Sequence, residues 1–168
     1  MKTFEGLKGI GMSEREARKF LSQSRSTLLL GTTNADGTQV IHPVWYYFDS
    51  ARTKLYFYTE PALQKATNIK KRSQIYFDVD DDRWPYKGVK GKGKARILAS
   101  KGGEALSWGA KILTRYVKKG SPLFTYAMDK MKSGGYVIIE ITPAYFTSWD
   151  FGKLEKQDKT LRQSIIIS

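Results

Sequence analysis

Tyr58-Thr59-Glu60-Pro61, followed by Gln64-Lys65, reads as a strand end, a turn and the start of a helix. The first N–H groups of a helix have no partner within it, and the helix dipole is positive there. Thr59 adds a hydroxyl, and Lys65 adds a full positive charge one turn in. That set suits an anionic phosphate. An ordinary lysine on an ordinary surface helix has the same spacing, so the segment alone does not decide.

Residues 83–101 carry seven basic residues and no acid. Lys87 leads into a stretch where Lys90, Lys92, Lys94 and Arg96 would share one face of a strand. Four like charges in file are stable only in solvent or against an anion. Glycine inside a strand weakens it unless a backbone or a ligand approaches closely, which makes Gly91 and Gly93 informative. A solvated strand face accounts for the lysines equally well.

His42-Pro43-Val44-Trp45 lies within an alternating run. Proline cannot donate to a ladder, so the neighbouring strand keeps a carbonyl for another partner. The edge of a planar heterocycle can use such groups. A packed aromatic core around one satisfied histidine is the simpler account of the same residues.

Other chemistry is excluded by what is missing. The chain has no cysteine, which removes disulfides, iron–sulfur clusters, thiolate zinc sites and cysteine nucleophiles. His42 is the single histidine, so a transition-metal site would rest on it and carboxylates, which argues against a metalloenzyme. There is no phosphate-binding loop of the Gly-x-x-x-x-Gly-Lys type, no Gly-x-Gly-x-x-Gly and no Gly-x-Ser-x-Gly elbow. A net charge of +13 points to a negatively charged partner, whether phosphate, nucleotide or nucleic acid. No apolar run is long enough to span a membrane, and the first residues have no apolar stretch of a signal peptide. A cytoplasmic location is the expectation.

These segments need elements to hold them. Ser13 and Glu16 form a capping box for a helix over residues 14–23. Residues 27–33 read as a strand, and Asp36-Gly37 turns it into the run 39–48. Strands are predicted over 54–59, 74–79, 89–99, 136–141 and 145–150. Helices are predicted from Pro61 to 71, over 104–119, and after Ser121-Pro122. Short antiparallel strands joined by tight turns indicate a small barrel rather than a parallel sheet. One domain covers residues 1–152, with residues 153–168 as a C-terminal tail.

In this order the segments resemble the pyridoxamine-phosphate-oxidase-like flavoproteins. The resemblance rests on the hairpin at 32–39, on His42-Pro43-Val44-Trp45, and on Tyr58-Thr59 followed by Lys65. It extends to Gly93-Lys94-Ala95 and to the closing Ile141-Thr142-Pro143 and Trp149-Asp150. It implies a mainly β fold, a six- to seven-stranded antiparallel split barrel of Greek-key character with peripheral helices. It also implies a homodimer with FMN in a cleft between the subunits, and an FMN-dependent oxidoreductase acting on a small molecule. By the same resemblance Tyr58, Thr59, Gln64 and Lys65 surround the cofactor phosphate, and His42, Pro43, Val44 and Trp45 lie along the ring. Lys87 and Lys90 reach the cofactor from the partner, and Trp149 lies near the ring.

The match is not complete. Oxidases of pyridoxamine phosphate carry an Arg-Lys pair on the helix and an arginine on the second strand. Here the pair is Gln64-Lys65, and the strand offers His42. The arginine-bearing substrate segment has only Arg162 as a counterpart. FMN binding is therefore expected, and a pyridoxal-type substrate is not. Similar barrels bind a deazaflavin or haem, and these stand as alternatives. So does a non-catalytic barrel whose basic face binds nucleic acid.

Overall fold

The computed structural model describes residues 4–157. In chain order the strands are β1 Phe4–Gly6, β2 Leu28–Thr33, β3 Gln39–Val44, β4 Tyr46–Asp49, β5 Lys54–Thr59, β6 Gln74–Asp81, β7 Lys87–Ala99 and β8 Val137–Asp150. The helices are α1 Glu14–Gln23, α2 Gln64–Lys71, α3 Gly102–Tyr116, α4 Pro122–Lys132 and α5 Gly152–Gln157.

The eight strands form one sheet in the order β3-β2-β6-β7-β8-β5-β4, antiparallel along that path, with β1 added in parallel to β8. β3 and β4 stand at opposite ends of the order but are joined through Trp45. The sheet therefore rolls up on itself without closing: a split barrel, mainly β, with helices outside it. Its interior is filled by alternate residues such as Leu28, Leu30, Phe57, Ile75, Val89 and Ile139. Each of these is almost wholly removed from water, and apolar burial is the main force holding the strands together.

A second apolar layer lies on the outer face. Trp108 of α3 stacks on Tyr56 of β5, with ring centroids 3.7 Å apart and planes 12° from parallel. Ile112 and Ile138 complete that contact, and Leu113, Ala127 and Met131 pack α3 against α4. α1 closes one end of the barrel. Ser13 and Glu16 form the expected capping box at its start. At its end Arg115 donates to the carbonyls of Ser22 (2.7 Å) and Leu21 (3.3 Å). A side chain of α3 thus supplies the cations that the last turn of α1 lacks.

Besides the unpredicted β1 and the longer β6 and β7, the strands differ from the sequence reading in two places with a visible reason. The run 39–48 is two strands, broken at Trp45. The runs 136–141 and 145–150 are one strand, which passes straight through Pro143. Pro143 faces Gly93 where the register between β7 and β8 shifts. A Cβ on Gly93 would lie 2.4 Å from the Thr142 carbonyl oxygen, so only glycine allows this close approach. α2 starts at Gln64 rather than at Pro61, and residues 152–157 form a helix where a tail was expected. The rest of that tail lies outside the described residues.

Candidate functional site

A cavity of about 450 Å³ opens where β3 breaks, β5 ends and α2 begins. Pro43, Val44, Trp45, Tyr58, Thr59 and Lys65 all line it. Six of the eleven residues singled out from the sequence are therefore brought together.

The anion-binding features lie at one end. Thr59 is the last residue of β5 and is 4% exposed, and its hydroxyl has no hydrogen-bond partner among the described residues. A buried hydroxyl left unpaired costs free energy unless something else reaches it. Lys65 stands in the first turn of α2, half-buried, and makes no ion pair within 4 Å among the described residues. Burial holds its ammonium below the usual lysine range, and Glu60 offsets this only in part. Glu60 is itself taken by Lys130 of α4, whose Nζ lies 2.5 Å from the carboxylate. The N-cap of α2 is Leu63, which offers no side-chain acceptor to the first N–H groups of the helix. A free hydroxyl, a partly compensated ammonium and a helix start without a side-chain cap line one place, features that an anion could satisfy together.

The other end is aromatic. Trp45 stacks on Tyr116 of α3, centroids 5.0 Å apart and planes 4° from parallel. The Tyr116 hydroxyl accepts from the Tyr46 N–H at 3.2 Å and donates to the Ser26 carbonyl at 3.3 Å. It replaces the ladder bond missing at the break between β3 and β4. Tyr58 packs on Tyr136, and burial pushes its phenol up to about 12. The pocket thus has aromatic side chains at one end and a lysine at the other.

His42 and Gln64 are close by but turn away from the cavity. Alternation along β3 sends Pro43 outward and His42 toward the end of the barrel. The His42 Nε2 lies 3.3 Å from the Thr32 hydroxyl. Asn68 donates to Thr32 (3.0 Å) and to Asn34 (2.8 Å), and Gln64 donates to the same Asn34 oxygen at 2.9 Å. Burial first, and Lys65 second, hold the imidazole below its ordinary pKa.

Lys87, Lys90 and Trp149 do not reach this cavity. Lys90 stands on the outer face of β7, opposite Asp78 on one side and Thr147 on the other. Three strand spacings separate it from β3, about 14 Å. Trp149 lies flat over Gly88, and the Lys90 Nζ sits 5.7 Å from its ring. Lys87, an odd number of residues from Lys90, turns to the other face and sits over Phe20 of α1. It borders a separate cleft of about 780 Å³. Between the two regions, an outer groove of about 850 Å³ carries Leu29, Ile41 and Tyr76, with Ile41 67% exposed. An oxygen of Asp78 and the hydroxyl of Thr147 are buried in it without partners.

The sequence reading missed Tyr116, Lys130 and Tyr136 as parts of the site. Each comes from α3, α4 or the start of β8 and meets β4 or β5 only through the fold. No local signal marks them. Among the described residues no group of three or more His, Asp or Glu side chains is placed to hold a metal ion.

The family model described as pyridoxamine 5'-phosphate oxidase matches residues 13–150. No curated protein matches the chain in sequence. Among solved structures, a conserved hypothetical protein from Mycobacterium tuberculosis is 28% identical, with a TM-score of 0.74 over 89% of this chain and 92% of that one. An F420 reductase is 22% identical, with a TM-score of 0.59 over 76% of this chain and 94% of that one. A haem storage protein from Vibrio cholerae is 15% identical, with a TM-score of 0.60 over 77% and 89%. The last two share the fold.

Proposed function

The chain belongs to the pyridoxamine 5'-phosphate oxidase family, and on that premise we propose that it is an FMN-dependent oxidoreductase acting on a small molecule. One observation carries the reading: the Thr59 hydroxyl, unpaired among the described residues, shares an aromatic pocket with the half-buried Lys65 ammonium. The flavin supplies the electron transfer, and the protein binds, orients and tunes it.

The chain's own residues divide that work. Thr59 would donate to a phosphate oxygen, and Lys65 would neutralise its charge. The backbone of Pro43 to Trp45 would lie beside the ring, on the wall where Tyr116 stacks on Trp45. Tyr58 and Tyr136, packed on each other, would shield the aromatic end from water. The ion pair between Glu60 and Lys130 keeps a carboxylate from opposing the anion.

A homodimer follows from the same reading. Lys90 and Trp149 are too far along the sheet to meet a ligand at Pro43 within one chain. A second copy on the outer groove would cover Leu29, Ile41 and Tyr76 and bring its own Lys90 and Trp149 to the ring. No helix among the described residues is long and apolar enough to cross a membrane. A cytoplasmic setting suits a cysteine-free flavoprotein.

A deazaflavin is the second reading, because the charged end recognises a phosphate and leaves the ring's chemistry open. The test is the visible spectrum of the purified protein, before and after NADPH. A yellow protein that releases FMN on denaturation and bleaches with reductant fits the proposal. A bound chromophore with a deazaflavin spectrum moves it to the second reading. A colourless protein that takes up neither cofactor overturns both.

A further inference from the structure

Pro43 of β3, Leu29 of β2, Asp78 of β6, Lys90 of β7 and Thr147 of β8 are successive register partners, so they form one row across the outer face of five strands. Asp78 stands in the middle of that row and lines the outer groove. Its Oδ1 is buried and has no hydrogen-bond partner among the described residues. The charges that face it are few. On β6 it faces Asp80, two residues along; on β7 it faces its partner Lys90 and, diagonally, Lys92; on β2 it faces the apolar Leu29. The Lys90 Nζ is drawn instead toward the Trp149 ring, 5.7 Å from its centroid. Burial, and then Asp80, push the Asp78 carboxyl up, and Lys90 offsets this only in part.

A two-fold contact over this groove is isologous: what one residue meets on the other copy is met in return. In the homodimer proposed above, the partner's Lys90 comes to a ligand at Pro43. The two-fold axis then passes midway between Pro43 and Lys90 in the row, which is between Leu29 and Asp78. Each Asp78 stands about half a strand spacing, roughly 2.4 Å, from that axis in projection. Sheets packed face to face lie about 10 Å apart, a gap that two facing side chains fill. The two carboxyls therefore come together in a groove walled by Leu29 and Tyr76, away from water. Two carboxylates sharing such a place cannot both ionise.

Resting on the homodimer of the reading above, we propose that the two Asp78 carboxyls meet at the two-fold axis and share one proton, so that self-association takes up a proton from solvent. The proton gives each orphaned oxygen a hydrogen-bond partner that a single chain lacks. The sign follows from where the proton is held. Carboxyls that meet bind it more tightly than carboxyls apart, so the dimer is tightest in acid. Association falls by up to tenfold per pH unit between the pKa of Asp78 in the single chain and the upper pKa of the pair, and levels off above it.

The test is the dimer dissociation constant of the cofactor-free chain, read by fluorescence-detected sedimentation from about pH 4.5 to 8. Where the dimer is too tight to dissociate, the rate of subunit exchange between two labelled batches gives the same slope. The expected result is a dimer that loosens about tenfold or more across that range. Asp78→Asn, close in shape and without a charge, is expected to abolish the slope and to dimerise more tightly than the unaltered chain at the alkaline end. Asp80→Asn is expected to keep the slope. A flat profile, or a slope that survives Asp78→Asn, overturns the proposal. So does association that strengthens as pH rises, which would mean that a cation of the partner meets the carboxylate. If the chain is a monomer throughout and still binds FMN, the proposal falls and the flavin reading stands. If the slope is present and depends on Asp78 but FMN does not bind, the shared proton stands and the flavin reading falls. A monomer that takes up no FMN removes both.

Discussion

The indole of Trp45 and the phenol of Tyr116 lie face to face, with centroids 5.0 Å apart and planes within 4°. Trp45 belongs to neither of the strands it joins, and Tyr116 sits at the end of α3, so the stack ties an outer helix to the opening of the barrel. The Tyr116 hydroxyl meanwhile serves the unpaired Tyr46 N–H. Tyr116→Phe keeps the stack and strips the hydrogen bonds, and is expected to cost about 1–3 kcal/mol of stability. Tyr116→Ala also frees the indole and is expected to weaken FMN binding beyond the stability loss. Urea denaturation and a flavin titration separate the two effects.

Lys65→Met keeps the apolar stem and removes the charge. The cofactor-free protein is expected to be as stable as before or slightly more so, since a half-buried cation without a partner is gone. FMN affinity is expected to fall by about 1.5–3 kcal/mol, the scale of a hydrogen bond to a charged group. A thermal melt and a fluorescence titration check the opposite signs. Unchanged affinity would remove the phosphate role of Lys65.

Lys130→Ala leaves the Glu60 carboxylate facing the anion site. Binding of FMN is expected to weaken, and Glu60→Gln in the same chain is expected to restore it. The double-mutant cycle should therefore show strong coupling, although the two residues are 70 positions apart. Additive losses would mean that Glu60 does not face the ligand.

Gly88 is the floor under Trp149. A Cβ there would lie 2.3 Å from Cζ2 and 2.7 Å from Cη2 of the indole. Gly88→Ala is expected to push the ring off the sheet at a cost of about 1–3 kcal/mol. In a Trp149→Ala background the same change should be nearly free. Equal cost in both backgrounds would place the strain in the backbone instead.

Ile41→Glu puts a charge in the middle of the outer groove without touching the barrel interior, because Ile41 is 67% exposed. Sedimentation is expected to show a dimer before the change and a monomer after it, with FMN affinity reduced alongside. A monomer that retains full affinity would mean that each chain completes its own site.

That Thr59 and Lys65 stand at one strand-to-helix junction was readable because the junction is local. Thr59 and Lys65 are six residues apart, and strand end, turn and helix start each have their own residue preferences. The hairpin was readable for the same reason: Gly37 takes φ 90°, which glycine tolerates and most residues do not. The break at Trp45 was hidden because Tyr116, whose hydroxyl meets the Tyr46 N–H there, is 70 residues from Tyr46. Continuity through Pro143 was hidden because the accommodation is made by Gly93 on the neighbouring strand. Alternation already separates Lys87 from Lys90, and only the family resemblance grouped them. The same resemblance set Gln64 and His42 against the ligand, whereas the fold turns both into the network behind it.

β8 pairs with β7 on one side and β5 on the other, and also carries β1. Leu55 of β5 meets Ile141, and Phe4 of β1 meets Phe146, so every such pairing except that with β7 spans most of the chain. During synthesis β5, β7 and β1 must wait with open hydrogen-bonding edges until residue 150 has left the ribosome. Contacts this distant in sequence slow folding, and waiting strand edges invite pairing with the wrong chain. The lysines at 90, 92 and 94, exposed along the waiting edge strand, make that strand a poor template for another copy of itself. Charge exposed on the folded sheet would also serve, earlier in its life, to keep nascent chains apart.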